Sequence, residues 1–461
     1  MQPMQHLAAL WQGLGAPAAA LDDVRLTGSD PVLPSSFAIG TAAQVSIAAA
    51  ALAASQVWQA RGGSRQEVAV DMRHAATEFH SEHWIRIVGS APEDPWDRIA
   101  GTYQCGDGRW VRLHTNFPHH RDGVLDLLNC AYDRDAVASA LQAWTAFAFE
   151  DAAVAAGLCV TAMRSFAEWD AHPQGVAVPT LPVVTLTRIG DAPPLPLPRA
   201  RRPLSGVRVL DLTRVIAGPV CGRTLAAHGA DVLTIASPGV PNLPRLAVDT
   251  NRGKLTAHLE LGDATGRAVL EELVRGADIF VQGYRPGAIA RHGFAPEDTA
   301  RLRPGIVHVS LSAYGAAGPW SGRRGFDSLV QTASGFNHAE AEAAGQTAPK
   351  PLPCQALDHA SGYLLALGAL AALHRRMTEG GSWHVQVSLA RTGRWIRDLG
   401  RVADGLACPA PALEGLGAFI EETDSGFGRL RAVRHAAQMA ATPVRWDRPS
   451  MAFGSHPARW P

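Results

Sequence analysis

A unit made of a long apolar helix, a glycine turn and a short strand occurs twice in this chain. The second copy contains, in chain order, an opening segment at 355–362, an apolar helix at 363–376, a turn at 380–382 and a strand at 384–389. The first copy has the same order at 38–44, 46–59, 62–67 and 68–72. Any fold for this chain must therefore accommodate two copies of one helix-and-strand unit.

One carboxylate distinguishes the two copies. When the strands are lined up, Thr41 of the first copy stands where Asp358 stands in the second. Since a threonine hydroxyl cannot replace the charge of a carboxylate, the comparison predicts one working site per chain.

Composition limits the possible partners and compartments. The 461 residues suffice for two or three domains. The net charge is zero, so the protein has no overall electrostatic field that would attract nucleic acid or an acidic membrane. Six cysteines without CxxC spacing fit reduced thiols. The first basic residue is Arg25, and the alanine-rich stretch 46–54 is too short to span a bilayer. We expect a cytoplasmic protein that binds neither membrane nor nucleic acid.

A proline-rich connector at 191–203 divides the chain. Its five prolines cannot continue a helix or a central strand. The chain after it alternates between apolar runs and helical patterns, with strands predicted at 206–212, 231–236, 278–282 and 305–315 and helices at 220–228 and 264–275. This alternation is typical of βαβ units. It predicts an α/β fold with an open parallel sheet and helices on both faces.

The first part of the chain has a more mixed pattern. Two strand-like runs in 98–115 flank a turn at Asp107-Gly108, which is a hairpin signal, and helical patterns follow at 121–129 and 135–148. They predict a small α+β module. The expected organisation is a unit at 1–190 with this module, the connector, an α/β domain at 204–395, and a segment at 396–461 that returns to it. Within that last segment only a strand at 442–446 is predicted.

The segment 213–219 joins the first strand of the second part to a helix. Gly218 permits a tight turn, Pro219 suits the first helical position, and the N–H groups at a helix start attract anions. The segment lacks GxGxxG, so NAD is not indicated. The residues alone leave two interpretations open, a diphosphate-binding turn and a plain strand-to-helix turn.

An ordered series of segments after the connector resembles the class III CoA-transferases, the family of formyl-CoA and carnitine CoA-transferases. The segments are 203–219, 225–233, 251–254, 277–294, 310–319, 325–327, 333–335 and the helix with Asp358. The stretches 38–80, 98–115 and 172–174 resemble later regions of the same family. The chain is therefore similar to a truncated, rearranged unit joined to a second unit.

The resemblance implies a Rossmann-like sheet and a reaction in which Asp358 is the nucleophile. It implies a coenzyme A thioester and a small carboxylic acid as substrates, with no permanently bound cofactor and no metal. The CoA-binding positions it gives are Val215, Ala217, Arg252, Lys254, Tyr284, Arg291 and Arg324. Because subunits of the family interlock in pairs, we expect either a homodimer or a single chain that supplies the parts of two subunits.

Other interpretations of these residues stay open. Asp358 also suits an N-cap, where its side chain would accept an early helical N–H. The basic CoA-binding positions are also typical of solvated surface charges. His359 is a weak candidate for a proton shuttle, because adjacent helical residues do not share a face. His119 and His120 lack partners at metal-ligand spacing and are expected in a loop.

Two alternative functions compete with CoA transfer. Acyl-CoA racemases of the same superfamily have a histidine before the Asp of the Gly-x-Asp motif. This chain has Phe326 there, which cannot transfer a proton. A non-catalytic relative that binds acyl-CoA is the second alternative. Retention of Asp358 in the more complete copy favours transfer over this second alternative.

Overall fold

The computed structural model describes residues 2–91 and 94–461, and the first of these stretches contains the first copy of the repeated unit. Its elements are α1 (Pro3–Gly13), β1 (Val24–Thr27), α2 (Ile39–Ala60), β2 (Val68–Asp71), α3 (Met72–Glu78), α4 (Ser81–Trp84) and β3 (Arg86–Ile87). Helix α2 is apolar on all sides and is therefore buried along most of its length.

The next stretch confirms the predicted hairpin between two short strands. Its elements are β4 (Gly101–Gln104), β5 (Trp110–Leu113), α5 (Pro118–Leu128), α6 (Arg134–Leu141), α7 (Ala146–Ala155), β6 (Val160–Ala162), α8 (Phe166–Ala171), α9 (Pro173–Ala177) and β7 (Thr185–Gly190). Strands β4, β5 and β6 form an antiparallel sheet with its own hydrophobic core. The single helix predicted at 135–148 is wrong. Thr145 starts a second helix there by accepting the Ala148 N–H.

The second part of the chain is built around a seven-stranded sheet. Its elements are β8 (Arg208–Leu212), α10 (Ala217–Ala227), β9 (Asp231–Ala236), α11 (Pro244–Thr250), β10 (Lys254–His258), α12 (Ala264–Arg275), β11 (Ile279–Gln282), α13 (Pro296–Leu302), β12 (Val307–Ser312), α14 (Asp327–Ala333), α15 (Phe336–Ala343), α16 (Ala356–Thr378), β13 (Ser382–Ser388) and α17 (Leu389–Asp398). The strand order is β10-β9-β8-β11-β12-β13-β7, and only β7 runs antiparallel to its neighbour. Successive strand residues face two different cores, which confirms a mixed α/β fold.

The last stretch forms β14 (Ile420–Thr423), β15 (Leu430–Val433) and β16 (Ala437–Met439). The prediction of a strand at 442–446 is wrong, because these residues form no strand in the structure. The Arg445 backbone N–H donates to the Ala227 carbonyl oxygen on α10, so it is not available for a strand ladder. Pro443 has no N–H to offer a ladder either.

The two copies of the repeated unit correspond closely at the start of their helices. Helix α2 has 22 residues and α16 has 23. The residue before each helix has nearly the same conformation, with φ −77° and ψ 60° at Ala38 and φ −77° and ψ 64° at Gln355. Thr41 and Asp358 are both the third residue of their helix, as the sequence alignment predicts. The repeat also extends through β2 and α3, which correspond to β13 and α17.

Each part of the chain completes a sheet of the other part. Strand β2 lies between parallel β1 and antiparallel β16, and β13 lies between parallel β12 and antiparallel β7. Strand β7 precedes the connector but belongs to the seven-stranded sheet. Strand β16 follows the connector but pairs with the first copy. The domain division at 191–203 stays a prediction, since strands pair across it in both directions.

Judged only by length and composition, helices α2 and α16 could each cross a membrane. They instead pack against each other, and 94% of the most apolar window of each helix is buried inside the protein. Their position in the core accounts for their apolar sequences.

Candidate active site

Asp358 lies in the first turn of α16, where a second carboxylate holds its backbone. Asp327 accepts the Asp358 N–H at 2.9 Å. The N-cap interpretation of Asp358 is wrong, because Gln355 occupies the N-cap position. None of the described residues donates a hydrogen bond that would favour the charged form of the Asp358 carboxyl group. The side chain is therefore available for chemistry.

The first copy has the same support at the start of its helix. Asp30 accepts the N–H groups of Gly40 and Thr41 at 3.1 and 2.9 Å, and the Thr41 hydroxyl at 2.7 Å. A supporting carboxylate is thus present in both copies. The side chain at the third helical position is what differs, and in the first copy it is bound to its own support.

Asp358 lies where two cavities meet. The first, which we call the arginine cavity, has a volume of about 390 Å³ and is lined by Arg214, Arg285, Arg291, Arg323 and Arg324. The second, which we call the histidine cavity, has a volume of about 320 Å³ and is lined by His80, His83 and His114. Asp358 and Phe326 border both. One carboxyl group can therefore contact ligands in either cavity.

The arginine cavity contains most of the predicted CoA-binding positions. Together with Asp358 it is lined by Val215, Ala217, Tyr284, Arg291 and Arg324. It lies beyond the carboxyl ends of β8, β11 and β12, where ligands of open α/β sheets bind. Arg291 and Arg324 are exposed at its mouth, where guanidinium groups can bind phosphate.

Sequence reasoning missed three arginines of this cavity, Arg214, Arg285 and Arg323. Arg214 lies two residues beyond the end of β8, and Arg285 lies three residues beyond the end of β11. Basic residues directly after parallel strands were the available signal for Arg214 and Arg285, because the carboxyl ends of these strands meet at one edge of the sheet.

Val215 has a strained backbone at the boundary between the two cavities. Its φ is +72°, in the left-handed region that β-branched residues rarely adopt. Such strain persists only where the surrounding structure imposes it, and it is concentrated at binding and catalytic sites. The turn predicted at 213–219 is therefore a constrained wall that Asp358 shares.

The structure does not bring Arg252 and Lys254 to the arginine cavity. Lys254 Nζ lies 2.8 Å from both Asp211 Oδ2 and the Pro219 carbonyl oxygen, and only 1% of the residue is exposed. Arg252 is also buried: it donates to the Val433 carbonyl oxygen at 2.8 Å and stacks on Trp446. Both cations are used inside the protein, so the solvated-charge interpretation is wrong for them as well.

Three acidic groups set the electrostatics around the candidate nucleophile. Burial raises the pKa of Asp358 well above its usual range, and the charges of Asp327 and Glu82 raise it further. Burial also raises the pKa of Asp327 to about 6, although the N–H donors of α16 oppose this. Burial alone would raise the pKa of Glu82 too, but His359, 2.8 Å away, helps to lower it to about 2. The ligand-free site therefore favours a protonated Asp358.

Residues that precede the connector form one wall of both cavities. His119 and His120 line the arginine cavity. Their predicted loop is wrong, because Pro118 begins helix α5 and both lie in its first turn. In the histidine cavity the His114 ring stacks on Phe326 with centroids 3.8 Å apart. Within residues 2–91 and 94–461, no group of three or more His, Cys, Asp or Glu side chains could hold a metal ion.

Comparison with known proteins finds relatives of the second part of the chain. Residues 204–399 match the model of CoA-transferase family III. Over 200 residues the chain is 35% identical to an acetyl-coenzyme A transferase of Hypoxylon pulicicidum, covering 42% of this chain and 34% of that protein. Over 237 residues it is 31% identical to a probable fatty acyl-CoA transferase of Mycobacterium tuberculosis, covering 47% and 60%. A crystal structure of the latter has a TM-score of 0.40 at 32% identity, covering 43% of this chain and 57% of that one.

A third relative matches across both sides of the connector. It is an acyl-CoA transferase of Gibberella moniliformis, 27% identical over 433 residues, which cover 84% of this chain and 75% of that protein. The chain spans only about a third and three fifths of the lengths of the first two relatives. Residues 204–399, which are less than half of the 461 residues, are similar to CoA-transferase family III.

Proposed function

We propose that this protein transfers CoA from a donor acyl-CoA to an acceptor carboxylic acid through covalent intermediates on Asp358. The observation that carries the proposal is the position of Asp358 between two cavities of different chemistry. The arginine cavity suits the phosphates of CoA, and the histidine cavity suits the acid. One carboxylate in contact with both can exchange groups between them.

The reaction needs no reagent beyond its two substrates. The Asp358 carboxylate attacks the thioester carbonyl of the donor, the C–S bond breaks, and a mixed anhydride and CoA thiolate form. The thiolate then attacks the aspartyl carbonyl, giving an aspartyl-CoA thioester and releasing the donor acid. The acceptor carboxylate displaces the thiolate to form a second anhydride. Attack of the thiolate on the acceptor carbonyl yields the new acyl-CoA and restores Asp358.

Trapping the intermediate tests this proposal. Hydroxylamine should convert the anhydride or thioester on Asp358 to a hydroxamate that peptide mass spectrometry locates. An unmodified Asp358 in protein that binds acyl-CoA would instead favour the non-catalytic alternative. Donor alone suffices for this experiment, so its outcome does not depend on the identity of the acceptor.

The exposed arginines should contribute binding energy for CoA. We expect the double variant Arg291→Met/Arg324→Met to bind CoA about 10- to 100-fold more weakly. Each substitution removes a guanidinium group and its charge-assisted hydrogen bonds to phosphate. The loss should shrink at high salt. Calorimetric titration of CoA at two ionic strengths measures both effects. The matched control is Arg199→Met/Arg201→Met in the connector, and equal affinity in both double variants would contradict the assignment.

The pH dependence of the first half-reaction should depend on Asp327. Because the pKa of Asp358 is raised, its reactive ionised fraction grows as pH increases. Asp327→Asn removes a negative neighbour and keeps an oxygen that can accept the Asp358 N–H. The pKa of Asp358 should then fall, and the rising limb of the pH–rate profile should move to lower pH. Single-turnover release of CoA across pH 5 to 9 measures it, and an unmoved profile would refute the coupling.

We also propose that one chain performs the role of two interlocked subunits with a Rossmann-like core. The exchanged strands β7 and β16 support this proposal, since each completes the sheet of the other part. The wall that the first part provides for both cavities supports it too. We expect sedimentation analysis to show a monomer under conditions in which the protein is active. Activity that requires a dimer would overturn the single-chain proposal.

Acyl-CoA racemisation is the second candidate function. His114 packs on Phe326 and lines the histidine cavity beside Asp358, so an imidazole lies near the position where the motif has phenylalanine. Burial, with smaller effects of Arg112 and His120, lowers the pKa of His114 to about 3. Such a weak base favours CoA transfer instead. Exchange of the α-proton of a 2-methylacyl-CoA in deuterated water, without an acceptor acid, would support racemisation.

A further inference from the structure

The passage between the two cavities has an apolar frame. The described residues that line both cavities are Asp358, Val215, Ile216 and Phe326. We call the last three the apolar collar. Their side chains are hydrocarbons, and a water molecule is held in a protein only where polar groups bind it. The carboxyl group of Asp358 therefore lies in a passage that offers water few partners.

Both parts of the chain hold the collar in place. The Phe326 ring stacks on His114 with centroids 3.8 Å apart, and its centroid is 5.8 Å from that of Phe117. Val215 is fixed in its left-handed conformation, and Ile216 is the N-cap residue of α10 and only 5% exposed. Packing across the two parts therefore keeps the Phe326 ring beside the candidate nucleophile.

The imidazoles of the histidine cavity are poor bases for activating water. Burial is the main cause that lowers the pKa of His114 to about 3 and that of His80 to about 4. Burial also lowers the pKa of His83, and the charges of Arg86 and Arg245 add to this effect. Such weak bases remove a proton from water inefficiently.

Asp327 is a better base, and it lies close to the site of reaction. Burial raises its pKa to about 6, and it accepts the Asp358 N–H at 2.9 Å. Glu82 is a much weaker base, because His359, 2.8 Å away, helps to lower its pKa to about 2 against the effect of burial. Since one group suited to activating water is present, the intermediates can be protected only by keeping water away.

Hydrolysis is the side reaction that the proposed mechanism has to avoid. Water that adds to the carbonyl of the aspartyl-CoA thioester breaks the C–S bond and restores the Asp358 carboxylate. One proton of the water goes to the CoA thiolate and the other to solvent. The net result is hydrolysis of the donor acyl-CoA, so a transferase needs a site that excludes water.

We propose that the apolar collar excludes water from the aspartyl intermediates, and that Phe326 decides between transfer to an acid and hydrolysis. Phe326 has the largest side chain of the collar and is the member that stacks on the first part of the chain. This inference rests on the proposed CoA transfer. It assigns a specificity-determining residue, whose loss turns the transferase into an acyl-CoA hydrolase.

Two rates measured with one donor test the assignment. Exchange of labelled acetate into acetyl-CoA reports transfer without an identified acceptor, and steady release of CoA in the absence of acid reports hydrolysis. Phe326→Ala should raise the ratio of hydrolysis to exchange about 30-fold, because water then reaches the aspartyl carbonyl. Phe326→Leu keeps a bulky apolar side chain and should raise the ratio less than about threefold. In heavy-oxygen water the label should enter the Asp358 carboxyl group.

Two further variants complete the design. Ile216→Ala widens the collar from α10 and should also raise the ratio, by a smaller factor, which keeps the proposal testable if Phe326→Ala does not fold. Phe427→Ala is the matched control, since Phe427 is half-buried and lines neither cavity. It should leave both rates unchanged.

The outcomes separate this inference from the function on which it rests. An unchanged ratio in Phe326→Ala and Ile216→Ala, or heavy oxygen that enters acetate and never Asp358, would overturn the role of the collar while leaving CoA transfer in place. Hydroxamate formation at Asp358 with donor alone reports whether each variant still folds and reacts. If wild-type protein forms no hydroxamate and exchanges no acetate, the proposed function itself fails.

Discussion

Replacing Asp358 with asparagine should lower kcat for CoA transfer by at least about 1,000-fold, because an amide cannot attack the thioester carbonyl to form an anhydride. Asparagine preserves the size of the side chain and the backbone N–H that Asp327 accepts. CoA affinity should therefore change by less than about threefold. Initial rates with acetyl-CoA and an acceptor acid, together with calorimetric titration of CoA, measure the two effects.

The first copy of the repeat provides a matched control for this experiment. Asp30 supports the start of α2 in the way that Asp327 supports α16, and it lines neither described cavity. Asp30→Asn should therefore retain transfer. Activity of the Asp358→Asn variant above a hundredth of the wild-type rate would refute the nucleophile assignment.

The Asp358→Asn variant should be more stable than the wild-type protein, and the gain should be larger at pH 8 than at pH 5. Burial raises the pKa of Asp358 above its unfolded value, so the folded protein favours the neutral carboxyl group. The free energy of unfolding then falls as pH rises from the unfolded pKa towards the folded pKa. Asparagine cannot ionise and avoids this loss. We expect Tm to rise by about 2 to 4 °C at pH 8. An equal rise at both pH values would contradict the pKa assignment.

Lys254→Met should cause the largest loss of stability, about 3 to 5 kcal/mol, because it leaves the Asp211 carboxylate buried without its cation. Helix α10 packs directly over the pair: a Cβ atom at Gly222 would lie 2.4 Å from Asp211 Oδ2. Little water can therefore reach the unpaired carboxylate. Chemical denaturation monitored by circular dichroism measures the change.

A second substitution distinguishes a structural lysine from a CoA contact. Lys254→Met/Asp211→Asn removes both charges and leaves an oxygen that can accept the Thr213 N–H. It should recover part of the lost stability. CoA affinity of the folded protein should be unchanged in either variant. Normal stability combined with weakened CoA binding would show that Lys254 contacts the ligand.

Local patterns predicted the frame of the site well. The repeat placed Asp358 and Thr41 at equivalent helical positions, and the strand-helix alternation predicted the parallel sheet. Both depend on periodicity and on order along the chain, which a sequence displays directly. Burial of a charged side chain is not displayed in this way. Lys254 and Arg252 look like surface residues in sequence, but the fold pairs them with Asp211 and Trp446 in the interior.

The histidine cavity could not be predicted from the sequence. Its walls come from the separate segments 80–83, 94–96, 114–116, 215–216, 243–246, 326–327 and 355–358, which carry no shared motif. Only the tertiary packing of the first part of the chain against the second brings Arg245 and His83 together. The N-cap prediction for Asp358 failed for the same reason. The Asp327 carboxylate that accepts the Asp358 N–H lies 31 positions away in sequence.

The exchanged strands make the chain comparable to a heterodimer whose subunits are joined end to end. A protease cut in the exposed connector would leave two fragments, each still holding a strand of the other's sheet. In a symmetric dimer every substitution occurs in both subunits, so a lost carboxylate would remove both sites at once. Here the two copies lie at different positions of one chain, so a substitution in one copy leaves the other unchanged. Thr41 in the first copy is therefore compatible with Asp358 in the second.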